Sequence, residues 1–223
     1  MLSPLRLLAA AFHGVHLMVR PGHLPAIFGL VGAMNTPAQL VTMREHLRTH
    51  PRAAAALDSP FHLSLDVDAL GRLPTGTLGR AFAEFTTREG VEPRVLTDKA
   101  LGETDWVPMH LYEVHDIWHV VTGIGTDVVS EVEILAFMLA QLPHTRMAPL
   151  AIAIAMARGA LGHRDLAPSK LQAAFVRGTQ LGERADLFFG VDWSKRWDTP
   201  LSEVRAELGV QVEMKEPAAL PAA

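Results

Sequence analysis

Two histidines and two carboxylates near the middle of the chain are the residues best suited to hold a metal ion. His115, Asp116 and His119 lie within five consecutive residues, and Glu131 follows twelve residues after His119. On a helix, His115 and His119 stack one turn apart, and Asp116 lies about 100° round the axis from His115. The three side chains therefore share one arc and can reach a single point beside the helix.

Glu131 can reach that point only if the chain folds back. On one continuous helix, sixteen residues would carry Glu131 about 24 Å along the axis from His115. Gly123 and Gly125 interrupt the helical pattern and supply a turn, so Glu131 is expected on an antiparallel neighbouring helix. Since the residues around Glu131 are mostly apolar, its carboxylate needs a partner, and a divalent ion would provide one.

The residue types restrict which ion could bind. The chain has no cysteine, so thiolate zinc sites, Fe–S clusters and disulfides are excluded. Imidazole and carboxylate ligands suit one divalent ion such as zinc, iron, manganese or cobalt. The alternative without a metal has two hydrogen-bonded structural histidines and an ion pair between Glu131 and Arg146 or Arg158.

The elements that would position these residues are predicted to be helices throughout. Thr36, Pro37 and Gln39 form the pattern that begins a helix, which is expected to end before Pro51. Residues 66–74 are expected to be a linker, and 77–88 a helix closed by Gly90. The fold class is all-α: a single-domain bundle of about eight to ten helices over residues 1–216, with a hydrophobic cavity and a disordered tail at 217–223.

Composition excludes some partners and leaves others open. The net charge is −4 and no basic stripe is present, so nucleic acid is not an expected partner. Residues 5–19 are predicted to form either a first core helix or a helix in the membrane interface. The apolar residues 134–161 are interrupted by prolines and charges, which excludes a membrane span. Within them, residues 148–157 are either a core helix or the wall of a ligand tunnel, with Ala153 and Ala155 as lining candidates.

The other histidines form no comparable cluster. His13 and His16 lie on an apolar face without nearby acids, so they are interpreted as structural. His110 is five residues before His115 and is expected beside the metal ligands rather than among them. No nucleophile elbow, phosphate loop or dinucleotide fingerprint is present.

The four candidate metal ligands form a pattern that resembles the signature of the Coq4 family of ubiquinone biosynthesis proteins. The pattern is His-Asp-x-x-His, followed by eleven residues and then Glu. Further agreement covers a Pro-x-Gly-Thr-x-Gly element at residues 74–79 and segments at 197–201 and 207–210. The resemblance extends over roughly residues 25–212. Two positions depart from it: the family's arginine-rich run before the first histidine is His110-Leu111-Tyr112-Glu113 here, and Phe82 stands where tyrosine is common.

The resemblance implies a function and a location. The implied activity is metal-dependent, oxidative removal of the C1 carboxylate from a polyprenylated hydroxybenzoate, with His115, Asp116, His119 and Glu131 as catalytic metal ligands. The implied protein is a homodimer on the cytoplasmic, inner face of a membrane, holding a prenyl lipid and contacting other quinone-biosynthesis enzymes. Two alternatives remain: a non-catalytic lipid-binding scaffold, and a family member that acts on another apolar acid in specialised metabolism.

Overall fold

The chain folds into α-helices, as the sequence predicts. The computed structural model describes residues 3–20, 24–91, 106–163 and 165–212. In these ranges it contains eleven α-helices, numbered here in chain order, and a 3₁₀ helix at Trp193–Lys195. The α-helices are α1 Pro4–Val19, α2 Leu24–Met34, α3 Pro37–Leu47, α4 Pro51–Asp58, α5 Val67–Leu70, α6 Leu78–Glu89, α7 Trp106–Thr122, α8 Val128–Gln141, α9 Met147–Ala160, α10 Pro168–Arg184 and α11 Leu201–Glu207.

Helix starts follow the capping residues that the sequence shows. The Thr36 hydroxyl accepts a hydrogen bond from the Gln39 amide at the start of α3, and Thr77 does the same at the start of α6. The Asp127 carboxylate accepts from two amides at the start of α8. Gly90 closes α6 in the left-handed conformation (φ 63°), which a residue without a Cβ adopts readily.

Two residues that were expected to lie between helices instead begin or cap a helix. Helix α3 ends at Leu47, before Pro51 as expected, but Pro51 also begins α4, where its missing amide hydrogen has no cost. Asp66 was expected to begin a linker, but its carboxylate caps α5 by accepting from the Ala69 amide. These short helices, with α2, explain why the described residues contain more helices than the eight to ten expected. The expected tail at 217–223 lies outside the described residues.

Helices α8 and α10 pack closely side by side. Gly178 lies against the Glu133 carbonyl, and a Cβ at Gly182 would lie 2.7 Å from the Phe137 carbonyl oxygen. Glycine at these two positions therefore permits the close approach. At the end of α8 the buried Gln141 amide donates to the Ala185 and Asp186 carbonyls and accepts from the Phe188 amide, at 2.8–3.3 Å.

Helices α1 and α2 form a second, smaller hydrophobic cluster with α9. Its buried members include Leu17 and Leu30, and Ile154 of α9 packs against them. The Arg6 guanidinium joins the pair by donating to the carbonyls of Gly32 and Ala33 near the end of α2. The expectation of a core helix at 5–19 is therefore met on one face of α1 only.

The opposite face of α1 is apolar and exposed. Its residues recur at helical spacing and are Leu5, Leu8, Phe12, Val15 and Val19. Among the described residues, no single helix is both long and apolar enough to cross a membrane. The pair Pro25–Met34 and Pro37–Leu47, bent by 84°, meets that test only when both helices are counted together.

Candidate metal centre

The candidate ligands lie on two helices joined by a short turn. Helix α7 carries His115, Asp116 and His119, and α8 carries Glu131 in its first turn. Gly123 adopts the left-handed conformation (φ 74°) that reverses the chain between them. The predicted helix, turn and second helix are therefore all present.

Three of the four predicted ligands converge. The His119 Nε2 atom lies 3.4 Å from Glu131 Oε1, and His115 Nε2 lies 3.9 Å from Glu131 Oε2. One ligand atom from each residue lies within 4.8 Å of the other two. Ligands bound about 2.1 Å from one ion lie at most about 4.2 Å apart, so these separations are close to those of an occupied site.

Both imidazole rings present the same nitrogen to Glu131. His119 Nδ1 donates to the Ile124 carbonyl at 3.1 Å, and His115 Nδ1 donates to the Asp116 carboxylate at 3.4 Å. These bonds select the tautomer in which Nε2 carries a lone pair. The buried Nε2 of His119 has no hydrogen-bond partner among the described residues. Histidines that bind metals are commonly oriented in this way through the other ring nitrogen.

Asp116 lies beside the group of three rather than within it. Its carboxylate contacts Nδ1 of His115, on the far side of that ring from Nε2, and is not one of the converging atoms. The cause is its position: adjacent residues on a helix point about 100° apart. Direct coordination by Asp116 therefore stays a prediction, while its contact with His115 is observed.

The pKa values of the three groups differ because their surroundings differ. Burial, reinforced by the nearby His115, lowers the pKa of His119 to about 4. Burial also acts to lower the pKa of His115, but the hydrogen bond that its ring donates to Asp116 and the charges of Glu131 and Asp116 outweigh it, so that pKa is raised. Burial raises the pKa of Glu131 despite the attraction of His115. Without an ion, His115 and Glu131 thus retain protons more readily than usual, whereas His119 favours its neutral form. A divalent cation would replace the protons of the first two groups.

The donor set fits a divalent ion. It offers two neutral imidazole nitrogens with lone pairs and a carboxylate that is 37% exposed. The alternative ion pair between Glu131 and Arg146 or Arg158 is absent from the described part of the chain, where Glu131 pairs with His115 and His119.

A pocket of about 830 Å³ opens beside the three converging residues. His115, Asp116 and Glu131 form part of its wall, and most of the rest is apolar. Helix α9 supplies Ala155, which is buried and lines the pocket, whereas Ala153 is exposed. The apolar lining residues come from several helices and two connecting segments and are Leu17, Ile27, Leu30, Leu65, Phe82, Val91, Val128, Val132, Leu135, Met147, Ala151, Ile154 and Ala155.

Sequence reasoning gave no role in the pocket to two of its polar residues. Glu113 is buried, and its carboxylate bonds to His62 Nδ1 at 3.1 Å. Arg158 is the last residue of α9 that lines the pocket. Neither residue belongs to a sequence motif that would mark it as functional, since each lies in an ordinary helical pattern. Only the packing of the helices shows that they line the pocket.

His110 and His13 do not belong to the converging group. His110 is buried among aromatic rings, with centroids 4.6 Å from Trp106, 5.1 Å from Phe189 and 5.2 Å from Phe61. Burial lowers its pKa to about 4. Among the described residues it makes no hydrogen bond, ion pair or ring contact with His115, His119 or Glu131, so the expected position next to them is not observed. His13 packs against Phe12 and the backbone of Gly29, consistent with a structural role.

Comparison with known proteins identifies the family. The chain is 27% identical to the mitochondrial ubiquinone biosynthesis protein COQ4 homologue of Rattus norvegicus, over 92% of this chain and 86% of that protein. It is 29% identical to the Mus musculus homologue, over 92% and 77%. A crystal structure of a candidate ubiquinone biosynthesis protein from Nostoc punctiforme shares the fold, with a TM-score of 0.74 and 23% identity over 92% of this chain and 98% of that one. The family model for the coenzyme Q (ubiquinone) biosynthesis protein Coq4 matches residues 3–213, and the chain therefore belongs to the Coq4 family.

Proposed function

We propose that this protein is a metal-dependent enzyme of quinone biosynthesis that removes the C1 carboxylate of a polyprenylated hydroxybenzoate. One observation carries the proposal. The lone-pair nitrogens of His115 and His119 converge with the Glu131 carboxylate on the wall of a largely apolar pocket. A site for an ion thus adjoins a space for an apolar molecule, as such a substrate requires.

The residues of the chain would prepare the site for this reaction. A divalent ion would supply a Lewis acid for carboxylate and phenolate oxygens. Asp116 and the Ile124 carbonyl hold the two imidazoles in the tautomer that binds an ion, and the apolar walls exclude water from the reacting ring. Loss of CO₂ leaves the electron pair of the broken bond on C1, where oxygen takes the carboxylate's place. With dioxygen and a two-electron reductant, the aryl carboxylate and three protons give the phenol, CO₂ and water.

The pocket is large enough for the ring but not for a long tail. Its volume of about 830 Å³ is typical of sites that enclose a molecule of drug size. The rest of a polyprenyl chain would have to leave the pocket. Leu17, Ile27 and Leu30 line the side formed by α1 and α2, and we propose that the tail leaves on that side.

We further propose that the protein binds a membrane surface through α1. Its exposed apolar stripe includes Leu8 and Phe12, each 68% exposed, and Leu17 of the same helix lines the pocket. An apolar helix face of this kind inserts into the headgroup region of a bilayer. In co-sedimentation with phospholipid vesicles, the double variant Leu8→Asp, Phe12→Asp should remain in solution. Val176→Asp, which changes an exposed apolar residue of α10, is the matched control.

The homodimer and the contacts with other quinone-biosynthesis enzymes belong to the same proposal. The curated relatives are named as mitochondrial proteins, so the cytoplasmic side expected for this chain stays a prediction. Light scattering of the purified protein at several concentrations would measure the size of the assembly.

The catalytic proposal is tested by metal content and turnover together. We expect about one divalent ion per wild-type chain and little in His115→Ala or Glu131→Ala, whereas His50→Ala, which removes an exposed histidine elsewhere, should retain the ion. Metal-loaded wild type, given dioxygen and a reductant, should release CO₂ from 3-farnesyl-4-hydroxybenzoate. Binding of this acid without CO₂ release would favour the non-catalytic scaffold.

One observation keeps another substrate open. Tyr112 and Phe82, the positions that depart from the family pattern, both line the pocket. A different head group would contact these residues. Release of CO₂ from another apolar acid, but not from the prenylated hydroxybenzoate, would indicate a role in specialised metabolism.

A further inference from the structure

Arg158 stands at the end of an otherwise apolar stripe on α9. The pocket-lining residues of this helix recur at helical spacing: Met147, Ala151, Ile154, Ala155 and Arg158. The first four are apolar, and the fifth is a guanidinium. This face of α9 therefore offers a molecule in the pocket an apolar track followed by a positive charge.

The charge of Arg158 has no counterpart within the described residues. Its Nε and Nη1 atoms are shielded from solvent and donate no hydrogen bond there. The three pocket carboxylates have other partners, since Glu131 faces the two candidate ligand histidines, Asp116 bonds to His115 and Glu113 bonds to His62. Shielded donors on a charged group are costly to leave unpaired, which indicates that an anion other than the described residues completes the site.

We infer that Arg158 binds the carboxylate of an amphiphilic acid whose apolar chain lies along the α9 stripe. The planar guanidinium matches the two oxygens of a carboxylate in a way that a neutral ester cannot satisfy. The inference rests on the proposed function, because it places the substrate in the pocket beside the ion. With an ion bound, its two positive charges would balance Asp116 and Glu131, and the third pocket carboxylate, Glu113, is bonded to His62. Arg158 then remains as the cation that attracts an acid.

The test compares an acid with its ester in equilibrium binding. The probes are 3-farnesyl-4-hydroxybenzoate and its methyl ester, titrated calorimetrically in detergent with metal-loaded and with chelator-treated protein. The preference for the acid should fall about tenfold or more in Arg158→Gln and less in Arg158→Lys, which keeps the charge. Arg72→Gln removes the same charge from an exposed position outside the pocket and should change nothing.

Three results would overturn the inference. The first is a wild-type protein that binds the acid no more tightly than the ester. The second is a preference for the acid that is unchanged in Arg158→Gln. The third is that Arg158→Gln and Arg158→Lys both fail to bind either probe, which would mark Arg158 as structural. Unchanged binding of the ester and unchanged metal content would show that a variant is folded. If Arg158 strengthens binding of oleate as much as binding of the farnesyl acid, the site accepts any amphiphile with a carboxylate. If it strengthens binding of the farnesyl acid only, the site is specific for the aromatic acid. Failure to release CO₂ would refute the catalytic proposal only, since binding is measured separately.

Discussion

Lowering the pH should release the metal ion through one identifiable group, His115. An ion binds neutral imidazole, so each proton that must leave weakens apparent affinity about tenfold per pH unit below the pKa of its group. The pKa of His115 lies above its usual 6.5, whereas that of His119 is about 4. Between pH 6 and 5, protonation of His115 should therefore weaken the apparent affinity for the ion about tenfold, whereas His119 should have no effect. Glu131, whose pKa is raised above 4.5, should steepen the fall at the lower end.

The assay is competition with a chelator of known proton affinity, followed at half-unit steps from pH 8 to 4.5. Glu131→Gln should bind the ion more weakly, but the added steepness at low pH should disappear. An affinity that stays level from pH 7 to 5 would refute the assignment of His115 as a ligand. A slope of two protons already above pH 6 would instead contradict the low pKa of His119.

Three further predictions concern the pocket, the carboxylate beside His115 and the fold. Ala155→Trp should fill the pocket and abolish binding of the farnesyl acid without loss of metal, whereas Ala153→Trp on the exposed face of the same helix should bind normally; equal binding by both would mean that the acid lies elsewhere. Asp116→Asn should lower CO₂ release by orders of magnitude even after reloading with metal, because the charge around the ion changes; wild-type turnover would exclude a catalytic role. Gln141→Ala should lower the free energy of unfolding by about 2–4 kcal/mol in urea titration, because buried partners of three hydrogen bonds are left unpaired. The exposed Gln172→Ala is its control, and similar losses in both would contradict this reason.

The sequence predicted the converging residues because their arrangement is local. Two histidines one turn apart share a helix face whatever the rest of the fold does, and Gly123 and Gly125 reverse the chain within a few residues. The position of the Asp116 carboxylate was less predictable. An arc of about 100° allows either contact with an ion or contact with the neighbouring ring, and side-chain torsions decide between them.

Helix starts were predicted at residues that the pattern assigns only to a helix start. They were missed at residues that suit either a turn or a helix start. Thr36 and Thr77 precede periodic apolar residues, so they could only begin helices. Pro51 can follow the end of one helix or begin the next, because proline is compatible with both positions. Asp66 similarly suits a turn or a cap, and only tertiary packing distinguishes the two.

The roles of Arg158 and Glu113 could not be derived from local pattern. Arg158 lies on α9 and Glu113 lies on α7. The packing of each helix against its neighbours determines whether the side chain faces the pocket or solvent. That packing is between distant segments and includes the approach that Gly178 and Gly182 allow. Helical periodicity shows which residues share a face, but not what the face meets.

The two hydrophobic clusters have a consequence for local stability. The pocket lies where they meet, because Leu17 and Leu30 belong to the smaller cluster whereas Val132 and Leu135 belong to the main core. Across the pocket volume these groups lack direct partners, so separating α1 and α2 from the bundle breaks fewer contacts than opening the main core. A lipid chain in the pocket would touch both clusters and join them into one. The α1–α2 pair would then open less often in the loaded protein, and hydrogen exchange in these two helices would slow far more than in α8 and α10.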